Sequence, residues 1–148
     1  MIKIICVGKI KERYFKDAID EYQKRLSKYI KIEIIELPDY NYDPLKTVNE
    51  EGKNILSKIS EKDFVITLEI NGQQMNSNEF ANFMENNLTK NITFVIGASY
   101  GLSPDVIKRS NYHLSFSSFT FPHQLFRIIL LEQVYRAFKI INNESYHK

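Results

Sequence analysis

The sequence predicts an α/β fold, a single domain whose parallel sheet is covered by helices on both faces. Three observations carry this. Short β-branched runs alternate strictly with segments of helical periodicity, the order that winds a chain into a parallel sheet. The opening run, Ile2 to Val7, is rich in apolar β-branched residues, as strands buried on both faces are. A length of 148 residues fits one domain with a real core, and no internal repeat or low-complexity tract interrupts it.

The first strand is the run Ile2 to Val7, ended by Gly8. Phe15, Ala18, Ile19, Tyr22 and Leu26 then recur at three- and four-residue spacing, the stripe a helix turns to a core. Ile30 to Leu37 alternates before Pro38 and predicts a second strand. Asp39 to Lys46, with Pro44 and two tyrosines, reads as a loop, and Val48, Ile55, Leu56 and Ile59 place a helix over Thr47 to Ile59. Phe64 to Ile70 is the third strand, which the Asn71-Gly72 turn signal should close. Asn76 with Glu79 resembles a capping box ahead of Phe80, Phe83, Met84 and Leu88. Ile92 to Ile96 is the fourth strand, Ser103-Pro104-Asp105 caps a short helix, and Tyr112 to Ser117 alternates as the fifth strand. Pro122 then opens a helix reaching about Ile141, whose apolar residues cover more than one face. So wide a surface predicts a partner beyond its own sheet.

Composition narrows the functional classes. Hydrophobic residues make up 43% and charged residues 26%, as in an ordinary soluble globular protein. No apolar run reaches the roughly 18 residues of a membrane span, and Met1 to Gly8 lacks the cleavage pattern of a signal peptide, so a cytoplasmic protein is expected. The single cysteine, Cys6, sits mid-strand and reads as a buried thiol. A net charge of +2 is far below that of a protein that coats nucleic acid, so RNA binding would need local patches. Candidates are Lys9, Lys11, Arg13, Lys108, Arg109, Arg127, Arg136 and Lys139.

Several chemistries lose support. No GxGxxG follows the first strand, no GxxxxGK[ST] is present, and His113, His123, His147 and Cys6 are not spaced as a metal site. Gly97-Ala98-Ser99-Tyr100-Gly101 does match the G-x-S-x-G of a nucleophile elbow, so a small serine hydrolase using Ser99 remains an alternative, although the chain is short for that fold. The last third is the richest region. Phe94-Val95-Ile96-Gly97 and Phe116-Ser117-Ser118-Phe119-Thr120-Phe121-Pro122-His123 are two strand ends with small, polar or glycine residues close in sequence. Loops leaving the carboxyl ends of parallel strands present free N–H and C=O groups to a ligand.

At these residues the chain resembles the small SPOUT-class methyltransferases that modify N3 of a pseudouridine in large-subunit (23S) ribosomal RNA, the RlmH family. The resemblance runs from Ile5-Cys6-Val7-Gly8-Lys9 through Val65 to Ile70, the Phe94 to Gly97 loop, Phe121-Pro122-His123 and Glu132 to Ala137, to the terminal Tyr146-His147-Lys148. It implies a C-terminal trefoil knot, a homodimer, and S-adenosylmethionine bound bent in that knot, with 23S rRNA in the ribosome as substrate and no metal. By position, Leu68, Gly97, Phe116, Ser117, Ser118, Phe119, Thr120 and Phe121 would line the cofactor pocket. His147 would serve as base or hydrogen-bond partner, Tyr146 would stack on the target base, and Arg136 would hold phosphate or polarise a carbonyl. His123, at a helix N-terminus, would fix a loop or face the cofactor. The family usually carries a glycine pair where this chain has Gly97-Ala98; if the second position needs φ > 0, alanine costs on the order of 1 kcal/mol. That departure leaves a noncatalytic nucleotide- or RNA-binding module as a rival reading.

Overall fold

The opening apolar run forms β1 (Ile2–Val7) of the computed structural model, which describes residues 1–148. The chain continues through α1 (Arg13–Leu26), β2 (Ile32–Leu37), α2 (Pro44–Ser57), β3 (Asp63–Gln74), α3 (Ser77–Asn87), β4 (Asn91–Ile96), α4 (Pro104–Arg109), β5 (Tyr112–Ser115) and α5 (His123–Ile141). All strand pairs are parallel, in the order β2-β1-β4-β3-β5. Successive side chains of a strand face opposite sides, so each central strand feeds two cores. Ile4, Cys6, Ile66 and Phe94 pack with α1, α3 and α5, whereas Ile5, Val7, Val65 and Val95 pack with Ile55 of α2 and Val106 of α4.

Four elements depart from the expected bounds. Helix α2 begins at Pro44, three residues before Thr47, because the Asp43 side chain accepts from Lys46 N–H at 3.0 Å and Pro44 fills the first turn. Strand β3 does not stop at Asn71-Gly72. Leu68 and Gln73 both sit opposite Leu114, so Glu69 to Gly72 form an outward excursion within the strand, not a closing turn. Gly72 makes this possible, since a Cβ there would lie 2.8 Å from the His113 carbonyl. Strand β5 ends at Ser115, and Pro122 is the N-cap of α5 rather than its first helical residue.

Helices α1 and α3 pack on either side of α5 and bury Leu130, Leu131, Val134, Ala137 and Phe138. Much of the apolar width that predicted a partner is thus used within the chain, leaving Leu125, Ile128 and Ile129 half-buried. Arg127 is corrected as a candidate for RNA contact: it is 1% exposed, pairs with Glu36 at 2.5 Å, and donates to the Gly8 carbonyl at 3.1 Å. Burial pushes the Glu36 carboxyl up, but the Ile10 N–H and Arg127 outweigh it and hold it below the ordinary range. Arg109 is likewise engaged, donating to the carbonyls of Ser60 at 2.9 Å and Asp63 at 3.1 Å. Lys9, Lys11 and Arg13 are exposed.

Candidate active site

A cavity of about 780 Å³ opens where β3, β4 and β5 reach their carboxyl ends. Leu68 to Asn71 form one wall, Ile96 to Ser99 with Gly101 and Leu102 a second, and the β5–α5 loop with Phe126 a third. Of the positions singled out by sequence, Leu68, Gly97, Phe116, Ser117, Phe119, Thr120 and Phe121 all line it. Ser118 is exposed and does not. Phe116 is both wall and core, packing on Phe80 and Phe126 at centroid separations of 6.1 and 5.1 Å. Phe119, in contrast, is 77% exposed.

The second wall needs glycine at two places, for different reasons. A Cβ on Gly97 would lie 2.7 Å from the Gly101 carbonyl oxygen and 2.9 Å from Leu102 Cδ2, so only glycine lets the two backbone segments approach. Gly101 has φ +77 and closes a turn by donating its N–H to the Ala98 carbonyl at 3.0 Å. Ala98 itself is not among the residues with positive φ. The strain considered for alanine is therefore absent, because the left-handed residue of this turn is Gly101. At the cavity floor, His123 Nε2 would come within 3.2 Å of a Cβ on Gly8, whose φ of +100 also calls for glycine.

One carboxylate reaches the cavity. Glu69 stands on the excursion of β3; its Oε2 is held by His113 Nδ1 and by Thr67 Oγ1, which donates at 2.6 Å. Sequence reasoning passed over Glu69. The only available signal was a lone acid beside Asn71-Gly72 at a strand end, and the excursion that aims it follows from packing against β5.

A second constellation lies on α5 and the tail. Arg136 grips Glu132 with Nε at 3.3 Å and a terminal nitrogen at 2.7 Å, and its other terminal nitrogen lies 3.0 Å from His147 Nδ1. Tyr146 donates to Glu132 Oε2 at 2.8 Å, while the Arg136 guanidinium sits 4.8 Å from its ring centroid and Tyr135 meets it edge-on at 5.0 Å. Burial and then the Glu132 carboxylate push the Tyr146 phenol up to about 12, so it is neutral and a donor at physiological pH. The hydrogen bonds Arg136 donates to Glu132 raise it above its ordinary value and fix its charge. The terminal residues expected at the site are thus ordered against α5. Glu132, the hub, was read only as part of a motif, although a Glu–Arg pair four residues apart on a helix was visible.

The structure brings Arg136, Tyr146 and His147 together with one another but does not bring them to the cavity of the same chain, since none lines it. Gln133 lies between the two regions, accepting from Ser77 Oγ at 2.8 Å and donating to Glu132 at 2.9 Å. The serine hydrolase reading finds no dyad. Ser99 makes no side-chain hydrogen bond, His113 is held by Glu69, His147 faces Arg136, and His123 packs at Gly8. Burial pushes the Cys6 thiol up to about 12, which leaves it unreactive. No group of three His, Cys, Asp or Glu side chains converges as a metal centre, and no helix is long and apolar enough to cross a membrane.

Comparison with known proteins agrees with this geometry. The sequence model of one family, described as predicted SPOUT methyltransferase, matches residues 1–147. The chain is 54% identical to ribosomal RNA large subunit methyltransferase H 1 of Clostridium perfringens, over 99% of both chains. It is 51% and 50% identical to proteins named ribosomal RNA large subunit methyltransferase H from Clostridium botulinum and Clostridium beijerinckii, again over 99% of each. A match across the whole chain, at that identity, leaves one conclusion: the protein belongs to the RlmH family of SPOUT methyltransferases.

Proposed function

We propose that the protein, a single domain over residues 1–148 carrying the trefoil knot of its family, methylates N3 of a pseudouridine in 23S ribosomal RNA, using S-adenosylmethionine in the cytoplasm. The names of its relatives support ribosomal RNA of the large subunit as the substrate. The observation that carries the reading is the cavity at the strand ends, where Gly97 admits backbone and Phe116 and Phe121 supply apolar walls. Those features suit an adenine ring, whose faces need apolar cover and whose edge can be read by main-chain N–H and C=O groups.

S-Adenosylmethionine, when bound, supplies a methyl group on a positively charged sulfur. Gly97 and the Phe116 to Phe121 loop would hold and orient the donor and exclude water around it. The ring nitrogen attacks in line, so alignment is the main demand on the protein. N3 would take the methyl as the carbon–sulfur bond breaks, leaving S-adenosylhomocysteine, and would give up its proton, for which His147 is the acceptor or hydrogen-bond partner. Arg136, fixed by Glu132, holds phosphate or polarises a carbonyl beside N3, which eases loss of that proton. Tyr146 presents an aromatic surface to the base.

Because these three residues lie outside the cavity of their own chain, we place them at the cavity of a second copy in a homodimer. The exposed Ile70, Tyr100 and Phe119 around the cavity mouth, and half-buried Leu125, Ile128 and Ile129, support such a neighbour. The noncatalytic module loses its main argument, since Ala98 is unstrained. With a net charge of +2, one small dimer neutralises few phosphates, so the assembled ribosome is the expected substrate.

The test is to incubate the protein and S-adenosylmethionine with ribosomes lacking the modification and, separately, with free 23S rRNA, and to identify methylated nucleosides by mass spectrometry. N3-methylpseudouridine from ribosomes, with far less from free RNA, is expected. Equal yields would remove the ribosome requirement, and absence from both would overturn the function.

A further inference from the structure

The cavity holds a single fixed charge. Its lining contains no lysine or arginine, and Glu69 is its one acidic side chain; the other titratable group is His123. Glu69 is tethered on one side only. Oε2 is held by His113 Nδ1 and Thr67 Oγ1, while Oε1 makes no hydrogen bond within the chain. Thr67 is fully buried in β3, so one of the two partners of the carboxylate is anchored in the sheet. The His113 ring nitrogen and the Thr67 hydroxyl thus both meet the same oxygen of Glu69. Thr67 and His113 are the other polar side chains that pack on it. The excursion of β3, permitted by Gly72 against His113, is what turns this group toward the ligand space.

We propose that Glu69 makes the site select a cationic donor over its neutral product. The inference rests on the cofactor reading above and adds to it a specificity-determining residue. S-Adenosylmethionine carries a sulfonium, whereas S-adenosylhomocysteine, left after transfer, has an uncharged thioether and the same adenine, ribose and amino acid. An anion in a largely apolar cavity distinguishes the two through the sulfur charge, because charges interact strongly where water is excluded. The enzyme thereby holds its donor and releases its product, which would otherwise occupy the same contacts.

Calorimetric titration of the intact protein and of Glu69→Gln with three ligands tests this: S-adenosylmethionine, S-adenosylhomocysteine, and sinefungin, an analogue with an amine in place of the sulfonium methyl. The wild type should bind both cations more tightly than the thioether. Glu69→Gln should bind the cations about tenfold more weakly and the thioether within about twofold of wild type. Equal weakening of all three would assign Glu69 to a hydrogen bond with the shared ribose or amino acid and overturn charge selection. No change in any would do the same. Should Glu69→Gln not fold, the wild type alone decides: tighter binding of the thioether than of both cations overturns the proposal. Wild-type binding to none of the three would instead overturn the cofactor reading, and this inference with it.

Discussion

The cavity and the tail of this protein are built from opposite materials. The cavity is made of backbone and rings. Gly97 and Gly101 bring main chain close, Phe116 and Phe121 wall it, and only Glu69 brings charge. The tail is made of charged side chains locked to one another, with Glu132 accepting from Arg136, Tyr146 and Gln133. A site that holds a whole cofactor can rely on shape, because apolar walls and main-chain groups are already fixed by the sheet. A site that must shift electron density at one ring nitrogen needs oriented charge, and in the proposed reading the guanidinium of Arg136, gripped at two nitrogens, supplies it. Binding and chemistry should therefore separate when each region is altered alone.

The largest separation is expected at the tail. Arg136→Ala should lower turnover by about 100-fold or more while calorimetry finds the affinity for S-adenosylmethionine unchanged. Arg136→Lys should recover little, because an ammonium cannot reproduce the two-nitrogen grip on Glu132. Loss of cofactor affinity in either variant would erase the distinction between the regions.

Gly97→Ala is the reciprocal change. Its Cβ would meet backbone at 2.7 Å, where nothing flexible can yield. Affinity for the cofactor should fall at least about tenfold, with the secondary structure retained by circular dichroism. Wild-type affinity in this variant would mean that the wall is looser than its geometry.

Smaller effects sharpen the contrast through carboxylates and thiols outside both regions. Glu132 is satisfied by several donors, but Glu51 is 2% exposed with only the Tyr40 N–H on Oε2, at 3.1 Å, and no partner on Oε1. Burial raises its carboxyl above the ordinary value. A raised carboxyl contributes stability at low pH that is lost as pH rises through the folded-state value. Glu51→Gln should consequently stabilise the fold by about 1 kcal/mol at pH 7, and the gain should fade below about pH 4, as read by denaturant unfolding. A destabilised variant at pH 7 would contradict this. The smallest effect is expected at Cys6. With its thiol held near 12, it should resist alkylation in the native state at pH 8, and Cys6→Ala should methylate at the wild-type rate. Rapid labelling of folded protein would place the thiol somewhere other than the core.

The same contrast explains what could be read from sequence. Strands, the Asn76–Glu79 capping box and the two loops that wall the cavity rest on local patterns, and local patterns survive folding. The excursion at Glu69 to Gly72 does not, because an Asn-Gly pair signals a turn equally well and only the neighbouring β5 decides. Arg127 looked like surface charge on a helix. Its burial depends on Glu36, distant in sequence and brought close by the β1–β2 pairing. The order of the tail comes from Glu132 reaching across the last turns of α5 to Tyr146, a contact that no local pattern marks. Long-range polar partners are what periodicity cannot express.

The central claim is that the cavity of one chain works with the Arg136 cluster of another, and mixed dimers test it directly. Gly97→Ala and Arg136→Ala chains, each impaired alone, would be co-expressed and their methylation of ribosomes measured at S-adenosylmethionine too dilute to fill the Gly97→Ala cavity. If the two regions meet across chains, a mixed two-fold dimer has one site carrying both changes and one carrying neither, and an equal mixture should recover about a quarter of wild-type activity. If instead each chain completes its own site, every site carries one change and no activity returns, which would contradict the account.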